Sequence, residues 1–269
     1  MDLLHPIFKW LHIIAGITWI GLLYFFNFIN GHVAATMDGD TKKKIFPELM
    51  PRTLYWFRWG AAWTWFTGII LLIVIYWLGL EGQQMPEDFV SDDVTGAPAN
   101  MYIHFMIAFT FLAVFIYDFM YKSKIASNVR LITSLSFILI GLYLYTLQHC
   151  AGFEYRALNI HLGAMFGTMM AFNVWFRIWP AQQNIIIAIR DGETPDGDQL
   201  ALAGLRSKHN TYMSVPLIWT MINQHTTTFA GGNWGVTNST VWIFLLVIIA
   251  LGWHIVFQLY KKAAKVKGF

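Results

Sequence analysis

Seven long apolar runs, separated by short charged or polar stretches, constrain this chain more than any other feature of its sequence. Most of them reach the roughly 20 residues that a helix needs to cross the hydrocarbon core of a bilayer. Backbone amides and carbonyls cannot stay unpaired in lipid, so runs of this length are expected to form helices. The predicted segments are 8–29, 54–80, 101–121, 131–150, 158–180, 211–229 and 240–260.

Composition agrees with an all-α, polytopic membrane protein. Charged residues make up 12% of the 269 residues, whereas soluble domains carry about 25%. The sixth segment is the most polar because it contains Pro216, Asn223 and Gln224, so we expect it to face protein or a cavity rather than lipid. We find no internal repeat, and we predict a single integral membrane domain over 1–269, embedded in the lipid bilayer.

Lysine and arginine are concentrated in alternate connections, which orients the bundle. With the N-terminus outside, the inner connections and the C-terminal tail hold most of the basic residues, whereas the outer segments hold only Lys9 and Arg156. The positive-inside rule therefore predicts an N-out, C-in topology. The same bias accounts for the net charge of +3, so nucleic acid is not expected as a partner. The segment 81–100 becomes an acidic outer loop that would attract a basic partner protein.

Five histidines lie within a turn or two of the same predicted membrane face, on five different segments. Ionisable or ligating side chains inside a membrane are costly, and they are generally functional. Neutral imidazole is the usual axial ligand of b-type haem, and it also binds copper or other iron centres. We therefore predict a metal site in the outer leaflet that holds one or two haem b groups. Its candidate ligands are His12, His104, His149, His161 and His225.

The five histidines are not equal candidates. His161 and His225 form the leading pair because their segments carry the polar and small residues expected of a buried site, and His12 and His104 come next. His149 lies at a helix end and is the weakest candidate. The alternative is that some of them bond to water or lipid headgroups at the interface. The single cysteine excludes an internal disulfide, and covalent c-type haem is excluded because no C-x-x-C-H motif exists.

A second polar group is predicted near the inner face. Arg58 lies about a turn inside the second segment, and Asn173 and Arg177 are one turn apart in the fifth. With His209 and Asn210 they would form a cationic, amide-lined pocket for substrate, because a planar guanidinium suits carboxylates and planar anionic heterocycles. The ordinary imidazole pKa of about 6.5 makes His209 the candidate general base. The alternative is that the arginines extend to lipid phosphates.

Three smaller features carry structural predictions. Gly163-x-x-x-Gly167 in the fifth segment predicts a close contact with another helix. Asp118 is expected to pair with Lys122, four residues further along the same helix. The stretch 181–210, rich in turn residues, is expected to be the longest inner loop.

Four stretches of the sequence together carry a family resemblance. They are 12–21 (HIIAGITWIG), 56–65 (WFRWGAAWTW), 161–180 (HLGAMFGTMMAFNVWFRIWP) and 206–225 (RSKHNTYMSVPLIWTMINQH). The chain resembles the membrane domain of the bacterial membrane-bound urate hydroxylases, also called the urate oxidase N-terminal domain. The resemblance implies a bacterial inner membrane protein that oxidises urate to 5-hydroxyisourate. Water would supply the oxygen, and cytochrome c rather than O2 would take the electrons.

Members of that family typically continue with one further helix and a periplasmic cytochrome c domain, and neither is found in these 269 residues. We therefore expect the electrons to leave through a soluble or membrane-attached cytochrome c, or through partner subunits. The alternative function is a haem-b electron-transfer or anchor subunit of a larger respiratory or dehydrogenase complex. A transporter is less favoured because paired broken helices and repeat symmetry are not found.

Overall fold

The computed structural model describes residues 3–77, 97–223 and 240–267, and these residues are almost entirely helical. Within these three ranges no strand element is present, so the predicted all-α class is confirmed. Eight helical stretches are labelled α1 (Leu4–Thr36), α2 (Gly39–Leu72), α3 (Ala97–Lys122), α4 (Val129–His149), α5 (Tyr155–Asn173), α6 (Trp179–Asp191), α7 (Gly197–Ile222) and α8 (Val241–Ala263).

Five of the described helices are long and apolar enough to cross a membrane, namely α1, α2, α3, α4 and α8. The chain is therefore a multi-pass membrane protein. The predicted segments 158–180 and 211–229 fall on α5 and α7, whose buried faces carry most of the buried polar side chains. That polarity fits the expectation that these helices are enclosed by protein. His225 and most of the predicted acidic loop 81–100 lie outside the described residues.

Local signals in the sequence explain where several helices begin and end. The Asn128 side chain accepts a hydrogen bond from the Leu131 amide at 3.1 Å and caps the first turn of α4. Asp38 does the same for α2, because its carboxylate accepts from the Thr41 amide at 2.8 Å. Gly192 ends α6 in the left-handed region at φ +81°, a conformation that glycine adopts without steric cost.

The stretch 181–210, predicted as the longest inner loop, is mostly helical. α6 continues α5 as far as Asp191, and α7 already begins at Gly197, so only a short turn separates them. Ala181 and Ile185 of α6 pack against Ala203 of α7 in a small apolar core. Helical spacing of these apolar residues outweighs the turn residues, which are confined to the tip.

Three helices contain a π-helical turn, in which the backbone carries one extra residue. These turns span Phe25–Asn30 within α1, Ile73–Trp77 at the end of α2, and Val174–Ile178 between α5 and α6. π-Helical turns are rare and are frequently found at functional sites. Each of the three supplies a polar or aromatic side chain to one of the clusters described below.

The chain divides into two compact units, which are described separately. The first unit comprises Met1–Leu71, Met170–Val215 and Trp253–Phe269, and the second comprises Leu72–Met169 and Pro216–Gly252. In the first unit α1 and α2 approach closely at Gly60. A Cβ atom there would come within 3.2 Å of the Trp19 amide nitrogen and 3.4 Å of the Ala15 carbonyl oxygen. The two helices are therefore held in a tight backbone contact.

In the second unit Gly163 makes the close helix contact that the sequence predicted. A Cβ atom on Gly163 would collide with the Thr220 hydroxyl of α7 and would lie 2.9 Å from the Met221 methyl carbon. Gly167, by contrast, has nothing within 4 Å of that position. The predicted pair of Asp118 and Lys122 is confirmed, with 2.9 Å between carboxylate and ammonium.

Candidate functional site

The structure places the five candidate histidines in different surroundings. His12 belongs to the first unit and is half-buried, whereas His161 belongs to the second unit and is fully buried. His104 and His149 are exposed on the surfaces of α3 and α4, and the His149 ring lies 4.5 Å from the Tyr145 ring. The predicted layer of five ligands stays a prediction, because His225 lies outside the described residues.

The His12 imidazole is held by the hydroxyl of Thr67 on α2. The distance between Nδ1 of His12 and Oγ1 of Thr67 is 3.1 Å. The Thr67 hydroxyl lies 2.6 Å from the Trp63 carbonyl and 3.2 Å from the Thr64 carbonyl, and its single proton is donated to these backbone acceptors. The hydroxyl oxygen therefore accepts the hydrogen bond, and Nδ1 of His12 must donate it. The neutral ring then carries its lone pair on Nε2, which is the form that binds a metal through that atom.

Gly68, the residue after Thr67, lets the His12 ring lie directly against the backbone of α2. A Cβ atom at this position would come within 3.1 Å of Cε1 of the ring. Any larger side chain would displace the ring or be displaced by it. Thr67 and Gly68 together fix both the proton position and the plane of the imidazole.

His161 reaches the same protonation form by another route. Its Nδ1 is 2.8 Å from the carbonyl oxygen of Ala157, one turn earlier on α5. A carbonyl only accepts, so Nδ1 carries the proton and Nε2 the lone pair. The ring is fully buried between Phe153, with centroids 4.9 Å apart, and Trp77, with centroids 6.4 Å apart. The π-helical end of α2 supplies Trp77.

Clusters of metal ligands are not otherwise found in the described ranges. Among those residues, no group of three or more His, Cys, Asp or Glu side chains could hold a metal ion. His12 and His161 are thus single imidazole donors, each anchored through Nδ1.

Arg58 lies in an aromatic frame in the first unit. Its guanidinium carbon is 4.0 Å above the Trp179 ring and 5.7 Å from the Trp175 and Tyr55 rings. Trp175, in the π-helical turn, also donates from Nε1 to the Arg58 carbonyl at 3.0 Å. In the part of the chain that the structure describes, Nε of Arg58 is buried without a hydrogen-bond partner, and Arg58 joins none of the ion pairs. Among the described residues, its charge is therefore stabilised by aromatic ring faces.

Asn173 and Asn210, predicted as substrate-binding residues, are brought together and bond to each other. Nδ2 of Asn173 donates to Oδ1 of Asn210 at 2.9 Å, and Nδ2 of Asn210 donates to the Met170 carbonyl at 2.9 Å. Both side chains are fully buried. This amide pair joins α5 to α7.

Arg177 is placed beside the aromatic face of α5. Its Nη1 donates to the Phe176 carbonyl at 2.8 Å, and its guanidinium carbon lies 5.2 Å from the Phe172 ring. The side chain is only partly buried. Of the two predicted arginines, Arg58 has the more enclosed guanidinium environment.

His209 lies on α7, one residue before the amide of Asn210 and ahead of the predicted span 211–229. Burial, together with the positive charges of Arg206 and Lys208, lowers the pKa of His209 to about 3. The imidazole is therefore neutral at physiological pH. It can accept a proton, but it becomes a strong base only if a bound anion stabilises the imidazolium.

Sequence reasoning missed Arg206, which is only 1% exposed. It lies one helical turn before Asn210, on the same face of α7. An arginine is rarely buried to this extent, because removing its charge from water is costly. Its spacing of four residues from Asn210 is the signal that could have identified it.

A second missed feature is a group of hydroxyl and amide contacts that links α1, α7 and α8. Tyr260 donates to Oδ1 of Asn27 at 2.8 Å, and Nδ2 of Asn27 donates to the Ser207 hydroxyl at 2.8 Å. The Tyr24 hydroxyl lies 3.0 Å from that of Ser214. Asn27 comes from the π-helical turn of α1, a backbone feature that hydropathy does not reveal.

The described residues define a multi-pass helical membrane protein with two anchored imidazoles and an arginine framed by aromatic rings. A family comparison specifies it further. The chain belongs to the family described as urate oxidase N-terminal, which matches residues 1–268, and this membership supports a urate-related role. No curated protein and no solved structure matched the chain.

Proposed function

We propose that this protein oxidises urate to 5-hydroxyisourate in a bacterial inner membrane and passes the electrons through haem b to an external cytochrome c. Membership of the urate oxidase N-terminal family supports urate as the substrate. For the neutral acid, urate and water give 5-hydroxyisourate, two electrons and two protons. A new bond forms between the water oxygen and C5 of the purine. External cytochrome c would be the oxidant, and two molecules of it would accept the two electrons, one each.

The aromatic frame around Arg58 is the observation that carries this proposal. Urate is a planar anion at neutral pH, so it can stack on indole rings and accept two parallel hydrogen bonds from a guanidinium. Trp175 and Trp179 supply the indole rings, and the guanidinium carbon of Arg58 lies 5.7 Å and 4.0 Å from their centroids. A guanidinium that has no carboxylate partner among the described residues gains most from an anionic ligand.

The neighbouring residues complete the pocket in this proposal. Asn173 and Asn210 form its rigid wall, and Arg206 and Arg177 add positive charge on α7 and α5 that favours an anion. His209 is the proposed general base that accepts a proton from the attacking water. A urate anion beside it would offset the repulsion from Arg206 and Lys208, and would raise the imidazole pKa towards a useful value.

His12 and His161, each in its own unit, would be suited to hold haem b. A histidine that binds iron through one ring nitrogen commonly donates a hydrogen bond from the other. His12 and His161 both carry the proton on Nδ1 and the lone pair on Nε2, as that role requires. His225, His104 and His149 remain candidates for the further ligands. When bound, haem would supply one-electron transfer between substrate and cytochrome c.

The proposal is tested by a reduced-minus-oxidised absorption spectrum of the purified full chain, first with urate and then with dithionite. We expect a b-type band with dithionite and the same band, in part, with urate. Arg58→Gln should slow reduction by urate at least tenfold while leaving the dithionite band unchanged. Arg52→Gln is the matched control, because Arg52 is exposed and already paired with Glu48 at 2.8 Å. Absence of any b-type band would overturn the haem assignment.

A haem-bearing relay subunit is the second candidate function. The form of His12 and His161 favours it, because both rings are prepared for a metal without any contribution from the Arg58 pocket. In that case a partner dehydrogenase or cytochrome would dock and exchange electrons. A b-type band that appears with dithionite but not with urate would favour the relay over the hydroxylase.

A further inference from the structure

We infer that Thr67 is a positioning residue that presents Nε2 of His12 to an iron porphyrin. The inference rests on the haem of the proposed function, but it does not depend on urate being the substrate. It assigns a role to a residue in the middle of α2 that carries no charge and ligates nothing itself. The inference is supported by the direction of the hydrogen bond between the side chains of His12 and Thr67.

That direction is fixed by the contacts of the Thr67 hydroxyl. The hydroxyl lies 2.6 Å from the Trp63 carbonyl and 3.2 Å from the Thr64 carbonyl, and both can only accept its proton. The hydroxyl oxygen therefore presents lone pairs to Nδ1 of His12 at 3.1 Å. Thr67 is only 1% exposed, so water does not compete for the bond. The Thr64 carbonyl also accepts a hydrogen bond from the ring, so removing the Thr67 hydroxyl would weaken the preference for the Nδ1–H form. Nε2 would then carry the proton more often and could not ligate iron.

The surrounding backbone makes the arrangement rigid. Gly68 brings the helix surface to within van der Waals contact of the ring, and the tight contact of α1 with α2 at Gly60 fixes the distance between the two helices. A methyl branch further limits the rotamers of Thr67. The ring therefore has one preferred plane and one preferred protonation form before any metal binds.

Such a contact also affects the bound metal. A hydrogen bond accepted from Nδ1–H makes the imidazole a better electron donor, which stabilises ferric over ferrous iron. Residues that orient metal-binding histidines typically change metal affinity by about 10–100-fold when they are removed. If the ratio of the affinities for ferric and ferrous iron falls tenfold, the one-electron midpoint potential rises by about 59 mV.

The experiment compares Thr67→Val, Thr67→Ser and Thr64→Val in the purified full chain. Valine keeps the volume and removes the acceptor, whereas serine keeps the acceptor. Thr64 is the matched control, because its hydroxyl bonds to the Gly60 carbonyl at 2.7 Å within the same helix. Two readouts use the haem-loaded protein, namely its haem content and its midpoint potential in a redox titration. The third is the ¹⁵N spectrum of histidine-labelled protein without haem. The His12 signals are assigned as those that disappear in His12→Gln.

We expect Thr67→Val to retain at least tenfold less haem, to raise the midpoint potential and to shift His12 towards the Nε2–H form. Thr67→Ser and Thr64→Val should resemble the wild type. If Thr67→Val binds haem with unchanged potential and an unchanged ¹⁵N pattern, the inference is overturned while the haem proposal stands. If wild-type protein shows no b-type band, both are overturned. A band that dithionite produces but urate does not overturns only the hydroxylase.

Discussion

Replacing Gly163 with alanine tests the closest helix contact in the second unit. The added methyl group would occupy the position of the Thr220 hydroxyl and would press on the Met221 side chain. Thr220 cannot move freely, because its hydroxyl donates to the Leu217 carbonyl at 2.7 Å and its carbonyl accepts from Asn159 at 3.1 Å. The clash must therefore be relieved by separating α5 from α7 or by breaking one of these bonds.

The magnitude follows from two opposing effects. Overpacking of a well-packed contact typically costs about 1–3 kcal/mol, whereas alanine gains about 1 kcal/mol over glycine in helix propensity. Gly163→Ala should therefore lower the free energy of unfolding by up to about 2 kcal/mol. Gly167→Ala, on the same helix with nothing within 4 Å, should raise it by roughly 0.5–1 kcal/mol.

Thermal unfolding of the two variants in the same detergent, followed by circular dichroism, gives the comparison. Gly163→Ala should unfold at lower temperature than the wild type and Gly167→Ala at the same temperature or higher. Combining Gly163→Ala with Thr220→Ala should recover part of the loss, because the obstructing hydroxyl is removed. If both glycine variants unfold alike, the packing argument is refuted.

Three further predictions concern the first unit. Asn210→Leu should lower the free energy of unfolding by about 2–4 kcal/mol, because it leaves the Met170 carbonyl and the Asn173 amide buried without their present bonds; chemical denaturation in mixed micelles would measure this. Tyr260→Phe removes the bond to Asn27 and should cost about 1 kcal/mol. The effect should be smaller in a variant that already lacks the Asn27 amide, where only the contact of Tyr260 with Thr211 remains. When the pH falls from 7 to 5, the free energy of unfolding should decrease by about 2 kcal/mol more in the wild type than in His209→Gln. The sign follows because unfolded histidine binds a proton below about pH 6.5, whereas the folded pKa of His209 is lowered to about 3; equal losses in both proteins would contradict the lowered pKa.

The helices could be predicted because each depends on a property that the sequence displays directly. Long apolar runs identified α1 to α4 and α8, and spacing of four residues identified the pair of Asp118 and Lys122. The stretch 181–210 was misjudged because its turn residues are more conspicuous than the helical spacing of Ala181 and Ile185. Turn residues mark where a chain can bend, but buried apolar contacts decide where it does.

The candidate site was predictable in its residue types and only partly in its contacts. The sequence pointed to His12, His161 and Arg58, yet it did not reveal what holds them. The acceptors for the two histidines are a threonine hydroxyl and a backbone carbonyl, which carry no distinctive signal. The bonds between Asn173 and Asn210 depend on helices that meet only in the folded chain.

The π-helical turn Val174–Ile178 contains one residue more than an α-helix would have at the same place. Each residue of an α-helix turns the chain by about 100°, so removing one residue here would convert the turn to ordinary helix and rotate everything beyond it by that angle. Trp179 would move away from Arg58, although neither residue had itself been replaced. A change in chain length at this turn would thus alter the aromatic surroundings of Arg58 in one step, whereas point substitutions could alter them only residue by residue.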